Sequence, residues 1–290
     1  FRLGRSELTK VFFQLEDGAL TETVFTQAVG ASCSGLAADK ASSIGGSEVK
    51  NTVCVSSQIG CRRTCGHCSS GKAQWRRDLN TNEIIGQVAA FAVDHEIGHV
   101  VFQGMGEPLD NPSVCQAAHF LTHCYDKLAC SCDGVECSAS QSRSAPSVCL
   151  STVGCCSAML DLAQHAPCAN LMLSVMPDVE RTEPLEDLLR CSDDVAHTTG
   201  RPVALSYTMI QGLDTEQRID ALLEYMRGRT STHAVQLVQY HANMDPPQSC
   251  CDAVRPSEPA TIRHCIARLR ENGCRVGFGQ YCEFPSVLIA

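Results

Sequence analysis

C-V-S-S-Q-I-G-C-R-R-T-C-G-H-C-S-S-G-K, from Cys54 to Lys72, places Cys61, Cys65 and Cys68 in the spacing C-x3-C-x2-C. Three thiolates this close on one stretch can ligate three irons of a cubane iron–sulfur cluster, whereas a complete all-cysteine site uses four. The missing fourth ligand is the informative feature. An open iron, like the open position of a catalytic zinc site, is a place for a substrate or cofactor to bind. The same triplet is also compatible with a zinc knuckle, or with coincidence in a cysteine-rich chain.

Outward from this loop the chain alternates strands and helices. Residues 52–56 read as the strand that delivers Cys54. Asn80 with Glu83 three residues on resembles a capping-box helix start, and Ile84, Ile85, Val88, Phe91 and Ala92 follow at helical spacing. A short apolar strand over 99–103 is closed by Gly104–Pro108, and Pro112 stands where the next helix begins. Further strands are expected at 148–152, 170–175, 202–209, 234–240 and 274–278, and helices at 155–165, 184–191, 215–227 and 259–272. Pro259 near the start of the last helix and Gly273 just past its end are the punctuation a real helix carries. Alternation of this kind implies parallel strands with right-handed crossovers. The expected fold class is therefore α/β, a partial (β/α)6 barrel over residues 51–290. A short N-terminal extension, residues 1–50, precedes it; this part is poorly patterned, and 28–50 reads as a loop.

The motifs around the cysteines carry a resemblance to a known family. C-V-S-S-Q-I-G-C (Cys54–Cys61), the cysteine triplet, N-E-I-I-G-Q-V (Asn82–Val88) and G-M-G-E-P-L-D-N (Gly104–Asn111) resemble, in the same order and at similar spacing, the radical S-adenosylmethionine (SAM) RNA adenine methyltransferases of the RlmN/Cfr type. The likeness continues more weakly to about Ser257. It implies a radical-SAM barrel, a [4Fe-4S] cluster on Cys61, Cys65 and Cys68, and SAM chelated at the open iron. One electron from such a cluster splits SAM into methionine and a 5′-deoxyadenosyl radical. The resemblance further implies an RNA substrate, ribosomal or transfer, and a one-electron donor protein such as flavodoxin or ferredoxin, with the chain acting as a monomer.

Site roles carry over position by position. Gly106 and Glu107 match the element that holds SAM's amino group; a carboxylate is a charge-assisted acceptor for an ammonium, and glycine lets backbone approach a ligand. Ser151, in S-T-V-G, and Ser174, in L-S-V-M-P, match serines that hydrogen-bond SAM, although Met176 replaces the family's histidine. His241, in Tyr240-His241-Ala242, stands where the family has a SAM-contacting asparagine; Asn243 would serve if the loop shifts by two. Glu22, in E-T-V-F, matches a proton-accepting glutamate, with an insertion separating it from the cysteines. Cys54 matches the cysteine that resolves a covalent protein–RNA adduct, and would otherwise be a structural thiol. The family's methyl-carrying cysteine has no match: it aligns with Phe278, or falls beyond Ala290, and Cys282 is the nearest thiol. A diverged radical-SAM enzyme with another substrate therefore stays open beside the RNA methyltransferase, and a non-catalytic metal-binding protein is disfavoured by G-M-G-E-P.

Composition constrains the rest. A chain of 290 residues that is 44% hydrophobic can bury one large core. No apolar run approaches the roughly 18 residues of a membrane span, and no signal-peptide pattern opens the chain. It opens on Phe1 rather than Met, which fits a chain lacking its N-terminal piece. The net charge of −9 means that any RNA surface must be a local patch; Arg62, Arg63, Lys72, Arg76 and Arg77 are the candidates, or else an ordinary solvated face. Twenty cysteines without a secretion signal fit a reducing compartment, cytoplasmic or organellar, with most of them acting as small buried hydrophobes. Residues 125–147 interrupt the rhythm with C-S-C-D-G-V-E-C (Cys130, Cys132, Cys137). Lying between a helix and the next strand, they read as an insertion on the face opposite the strand C-termini rather than a second metal site.

Overall fold

The computed structural model describes residues 2–3, 6–28, 50–68, 70–130, 144–240 and 254–279. Its first strands are β1 (Arg2–Leu3), β2 (Ser6–Gln14) and β3 (Leu20–Ala28), followed by β4 (Thr52–Cys54). A short ribbon, β5 (Gln58–Ile59) with β6 (Arg77–Asp78), brackets the cysteine loop. Alternation then runs through α1 (Thr81–Ala92), β7 (His99–Phe102), α2 (Ser113–His123), β8 (Ser147–Thr152), α3 (Cys156–His165) and β9 (Asn170–Ser174). It ends with α4 (Leu185–Thr199), β10 (Val203–Met209), α5 (Glu216–Met226), β11 (His233–Gln239), α6 (Pro259–Glu271) and β12 (Val276–Gly279).

Seven strands, in the order β4-β7-β8-β9-β10-β11-β12, pair in parallel with a helix between each consecutive pair. This is the open (β/α)6 barrel read from the sequence. Strand ends fall within two residues of expectation. The exception among the helices is α4, which runs to Thr199 instead of stopping at 191. The polar run Ser192-Asp193-Asp194 hides its continuation, but Val195 and Ala196 are buried and extend the apolar stripe.

The extension differs from the sequence reading. Residues 6–28 are a long antiparallel hairpin that joins the sheet beside β4. Its turn is Asp17-Gly18, with Gly18 at φ +79° and Leu15 N donating to Ala19 O. Asp-Gly between alternating runs is a strong hairpin signal, here diluted by the threonines of L-T-E-T-V-F-T. The hairpin packs on α1: Phe25 stacks on Phe91 at 4.8 Å, Phe13 meets the same ring edge-on, and Thr23 donates to the buried Gln87 Oε1 at 2.7 Å. Residues 131–143, with Cys132 and Cys137, lie outside the described residues. Of the remaining cysteines, Cys191, Cys265 and Cys274 are buried as expected, but Cys115, Cys124 and Cys155 are only half-buried and Cys168 is exposed.

Strand alternation sorts the barrel into two faces. Val53, Val100, Phe102, Val148, Leu150, Leu171, Leu173, Leu205, Val235 and Leu237 belong to the core shared with the helices. The alternate positions face the lumen and are mostly small or polar: Cys54, Cys149, Ser151, Ser174, Ala204, Ser206, Thr208, Ala234 and Gln236, with Gly277 beside Gln236 and the apolar Val101, Met172 and Val238 among them. A barrel packed only for stability fills its interior with bulky branched side chains. Here such side chains are the minority on the inner face.

Candidate active site at the mouth of the barrel

The cysteine loop leaves the C-terminal end of β4 and is pinched at its neck. Cys61 N donates to Ala73 O at 3.3 Å and Arg76 N to Ile59 O at 2.9 Å, while Cys68 N closes a turn on Cys65 O. Gly60 makes the pinch possible. Its φ is +75°, and a Cβ there would stand 2.1 Å from Gln74 O.

The G-M-G-E-P loop after β7 is bolted to the same stretch. Ser57 N donates to Met105 O, Met105 N to Ser56 Oγ at 2.9 Å, and Glu107 N to Gln58 Oε1 at 3.0 Å. Asn111 Nδ2 donates to both Ser57 O and Leu79 O at 2.7 Å. Gly106, at φ +106°, is crowded by Gln58, whose Cβ would lie 2.7 Å from an added methyl; the close approach seen here is by the chain's own side chain.

Glu107 is buried, which pushes its carboxyl up from the usual range, and three donors offset the cost. Oε1 accepts from Leu109 N at 3.1 Å and from the Thr152 hydroxyl, and Oε2 from Val153 N at 3.0 Å. A carboxylate offers about four acceptor sites. Three of them are engaged here, two on Oε1 and one on Oε2.

On the opposite rim, the loop after β9 clasps the cysteine loop. His67 Nδ1 lies 2.7 Å from Asp178 Oδ2, and Thr64 donates through both N and Oγ1 to Glu180 Oε2. Arg181 donates to the carbonyls of Ser174 and Met176. A cleft of about 290 Å³, lined by Gly66, His67, Asp178, Gln211 and Arg255 among others, opens here.

The structure brings most of the sequence-predicted residues together. Cys54, Ser151 and Ser174 face the lumen from the ends of β4, β8 and β9. Val24 of β3 pairs with Cys54, so Glu22, two residues away, lies on the same sheet face; its carboxylate meets Lys10 Nζ at 2.9 Å. His241, Asn243 and Cys282 lie outside the described residues. Met176 is buried in the core, its sulfur accepting from Thr208 N. Phe278 has the parity of the core residue Val276, on the face turned from the lumen. A thiol at position 278 would point away from the site.

Two expectations about the basic patch change. Arg63 is buried in a bidentate pair with Asp110, and Arg77 bridges Glu83 and Asp17. Both hold the loop in place. Lys72 and Arg76 are exposed, and Arg62 stacks 3.9 Å over the Trp75 ring while pairing with Asp78. Sequence reasoning missed Ser56, Gln58, Asn111 and Thr152, polar residues whose partners are remote in the chain.

The donor set can be tested against single-metal and cluster occupancy. In a tetrahedral zinc site with Zn–S near 2.3 Å, sulfurs lie about 3.8 Å apart. The three loop thiols are not among the described groups whose ligand atoms gather within 4.8 Å, and three thiolates without a fourth match the donor set of a cubane with one open iron. Burial pushes the Cys61 thiol up to about 11, and Cys65 upward too, with Cys68 and Glu107 adding repulsion. A bound metal centre would favour the thiolate forms of these residues. The residues fit a [4Fe-4S] cluster.

No protein-family model matches the chain. A probable dual-specificity RNA methyltransferase RlmN from Synechococcus sp. (strain JA-2-3B'a(2-13)) is 31% identical over 287 residues, covering 93% of this chain and 70% of that protein. The chain belongs to the RlmN family. Further RlmN relatives from Synechocystis sp. (33% identity) and Protochlamydia amoebophila (30%) cover 86% and 81% of the chain. The chain spans 63% and 61% of their lengths, less than two thirds. A radical SAM methyltransferase from Sphaerobacter thermophilus superposes with a TM-score of 0.70, covering 94% of this chain and 73% of its own, at 22% identity. That likeness establishes the RlmN-type chain's fold as the one radical SAM enzymes use. Among the described residues no helix is long and apolar enough to cross a membrane.

Proposed function

We propose that this chain is a radical SAM methyltransferase acting on an adenine of ribosomal or transfer RNA. The observation that carries it is the convergence of the three loop thiols, the buried Glu107 and the lumen-facing Cys54 at one mouth of the barrel, in a member of the RlmN family. Cys61, Cys65 and Cys68 would hold the cluster. When bound, a [4Fe-4S] cluster supplies the electron that cleaves SAM reductively, giving radical reactivity at adenine carbons too weakly nucleophilic for ordinary methyl transfer.

The chain's own residues have separable tasks. Glu107 Oε2 accepts from SAM's ammonium, its carboxylate pre-oriented by Thr152, Val153 and Leu109. Ser151 and Ser174 offer lumen hydroxyls to SAM's ribose or carboxylate, and His241 is assigned a donor role by its match to the family's asparagine. Cys54 would resolve the protein–RNA adduct formed through a methyl-carrying cysteine, a residue without a match among the described ones, and Glu22 accepts a proton on the same face. Lys72 and Arg76 meet phosphate, and the Trp75–Arg62 pair offers a stacking surface to an unpaired base. A small one-electron donor protein completes the system, and the chain works as a monomer.

The test is anaerobic reconstitution with iron and sulfide, then SAM and dithionite. Formation of 5′-deoxyadenosine, and of methyladenosine by mass spectrometry when rRNA or tRNA is added, is expected. Cofactor cleavage without methyladenosine on either RNA would overturn the substrate assignment, and no cleavage would overturn the enzyme.

A further inference from the structure

On the outside of the barrel, α2 and α3 lie side by side. Three side chains of different chemistry meet in the seam. Cys115 of α2 and Asp161 and His165 of α3 offer a sulfur, a carboxylate oxygen and a ring nitrogen that all lie within 4.8 Å of one another. Asp161 and His165 are four residues apart, hence neighbours on one helix face. Cys115 reaches them from the facing helix, its sulfur 3.8 Å from Asp161 O. One turn beyond Cys115, His119 Nδ1 lies 2.6 Å from the carbonyl of His165 and fixes the two helices in this register.

We propose that Cys115, Asp161 and His165 form a site for a borderline-soft divalent transition-metal ion, zinc above all, with water as the fourth ligand. A sulfur and an imidazole nitrogen disfavour magnesium and calcium, which take oxygen ligands. A thiolate and a carboxylate together balance a dication. Zinc–ligand bonds of about 2.0–2.3 Å place tetrahedral ligands roughly 3.3–3.8 Å apart. His165 Nδ1 already lies 2.9 Å from Asp161 Oδ1, and both side chains are exposed, so small rotations suffice to part them around an ion and turn them to the Cys115 sulfur. Binding forms the sulfur–zinc bond and releases the thiol proton to solvent; no electrons move.

The ion would tie together the two helices that follow the loops joined by Glu107 and Thr152, G-M-G-E-P and S-T-V-G. The site stands apart from the cluster thiols and does not depend on what the mouth of the barrel catalyses.

The experiment uses the chain with its iron–sulfur cluster installed, incubated with micromolar zinc and desalted, and counts metals per chain by mass spectrometry. About one zinc is expected for the unaltered chain and none for His165→Ala or Cys115→Ala, with iron unchanged in all three. Zinc should also raise the Tm of the unaltered chain but not that of His165→Ala. If Cys115→Ala does not fold, His165→Ala decides, since that side chain is exposed at the end of its helix. No zinc on the unaltered chain, or undiminished zinc on His165→Ala, overturns the site.

Discussion

Thr152, the last residue of one barrel strand, donates its hydroxyl to the buried carboxylate of Glu107, which follows the neighbouring strand. The same hydroxyl oxygen accepts from Gly154 N at 2.9 Å. Two loops of the mouth are therefore set by one residue. Thr152→Val leaves a buried carboxylate short of a donor and Gly154 N without its acceptor. Stability should fall by about 1–3 kcal/mol in urea unfolding, and SAM affinity, measured by equilibrium dialysis, should fall with it. Thr152→Ser should retain both. An unweakened Thr152→Val would show that Glu107 is positioned by other groups.

Gly60→Ala addresses the neck of the cysteine loop. With φ at +75° and Gln74 O 2.1 Å from the new methyl, the ribbon must part. The expected result is a chain that keeps its far-UV spectrum but retains less than a tenth of the iron after reconstitution.

Cys54→Ala separates the two halves of the proposed chemistry. The thiol faces the lumen but is not one of the three loop cysteines, so 5′-deoxyadenosine formation should persist within about twofold. Methyladenosine should drop by a hundredfold or more, with RNA trapped on the protein in denaturing gels. Loss of iron in this variant would instead make Cys54 a cluster residue.

His233 predicts a pH dependence. It is fully buried at the start of β11, bonded to Ser192 Oγ at 2.9 Å, and burial pulls its pKa down to about 4. Between pH 4 and the ordinary value near 6.5, the unfolded chain binds a proton that the folded chain does not. Stability therefore rises with pH across that window and is lost as pH falls through it, by up to roughly 3 kcal/mol. Urea titrations at pH 7.0, 5.5 and 4.5 check this, and His233→Asn should flatten the slope.

The barrel was legible because its strands and helices each obey one period over many residues, and because Gly and Pro mark their ends. The cysteine loop was legible because ligand spacing is local. Ser56, Gln58, Gln87 and Asn111 were not, because a buried polar side chain in a sequence looks like a surface one until its remote partner is known. Glu107 shows both sides: its place in the motif could be read, but not that three of its acceptor sites are already engaged by the chain. The hairpin was missed because its inward and outward faces differ little in polarity, threonine occupying both. In the sequence Phe278 is only an alignment position, and the strand parity alone shows which way it points.

The pairing of Val24 with Cys54 fixes Glu22 and Cys54 on one side of the sheet by hydrogen-bond register, independent of the number of residues joining their strands. Sequence length between those two positions is thus free to drift, and the insertion expected there from the resemblance need not separate the two side chains. A single residue added inside β3, by contrast, would turn Glu22 to the opposite side.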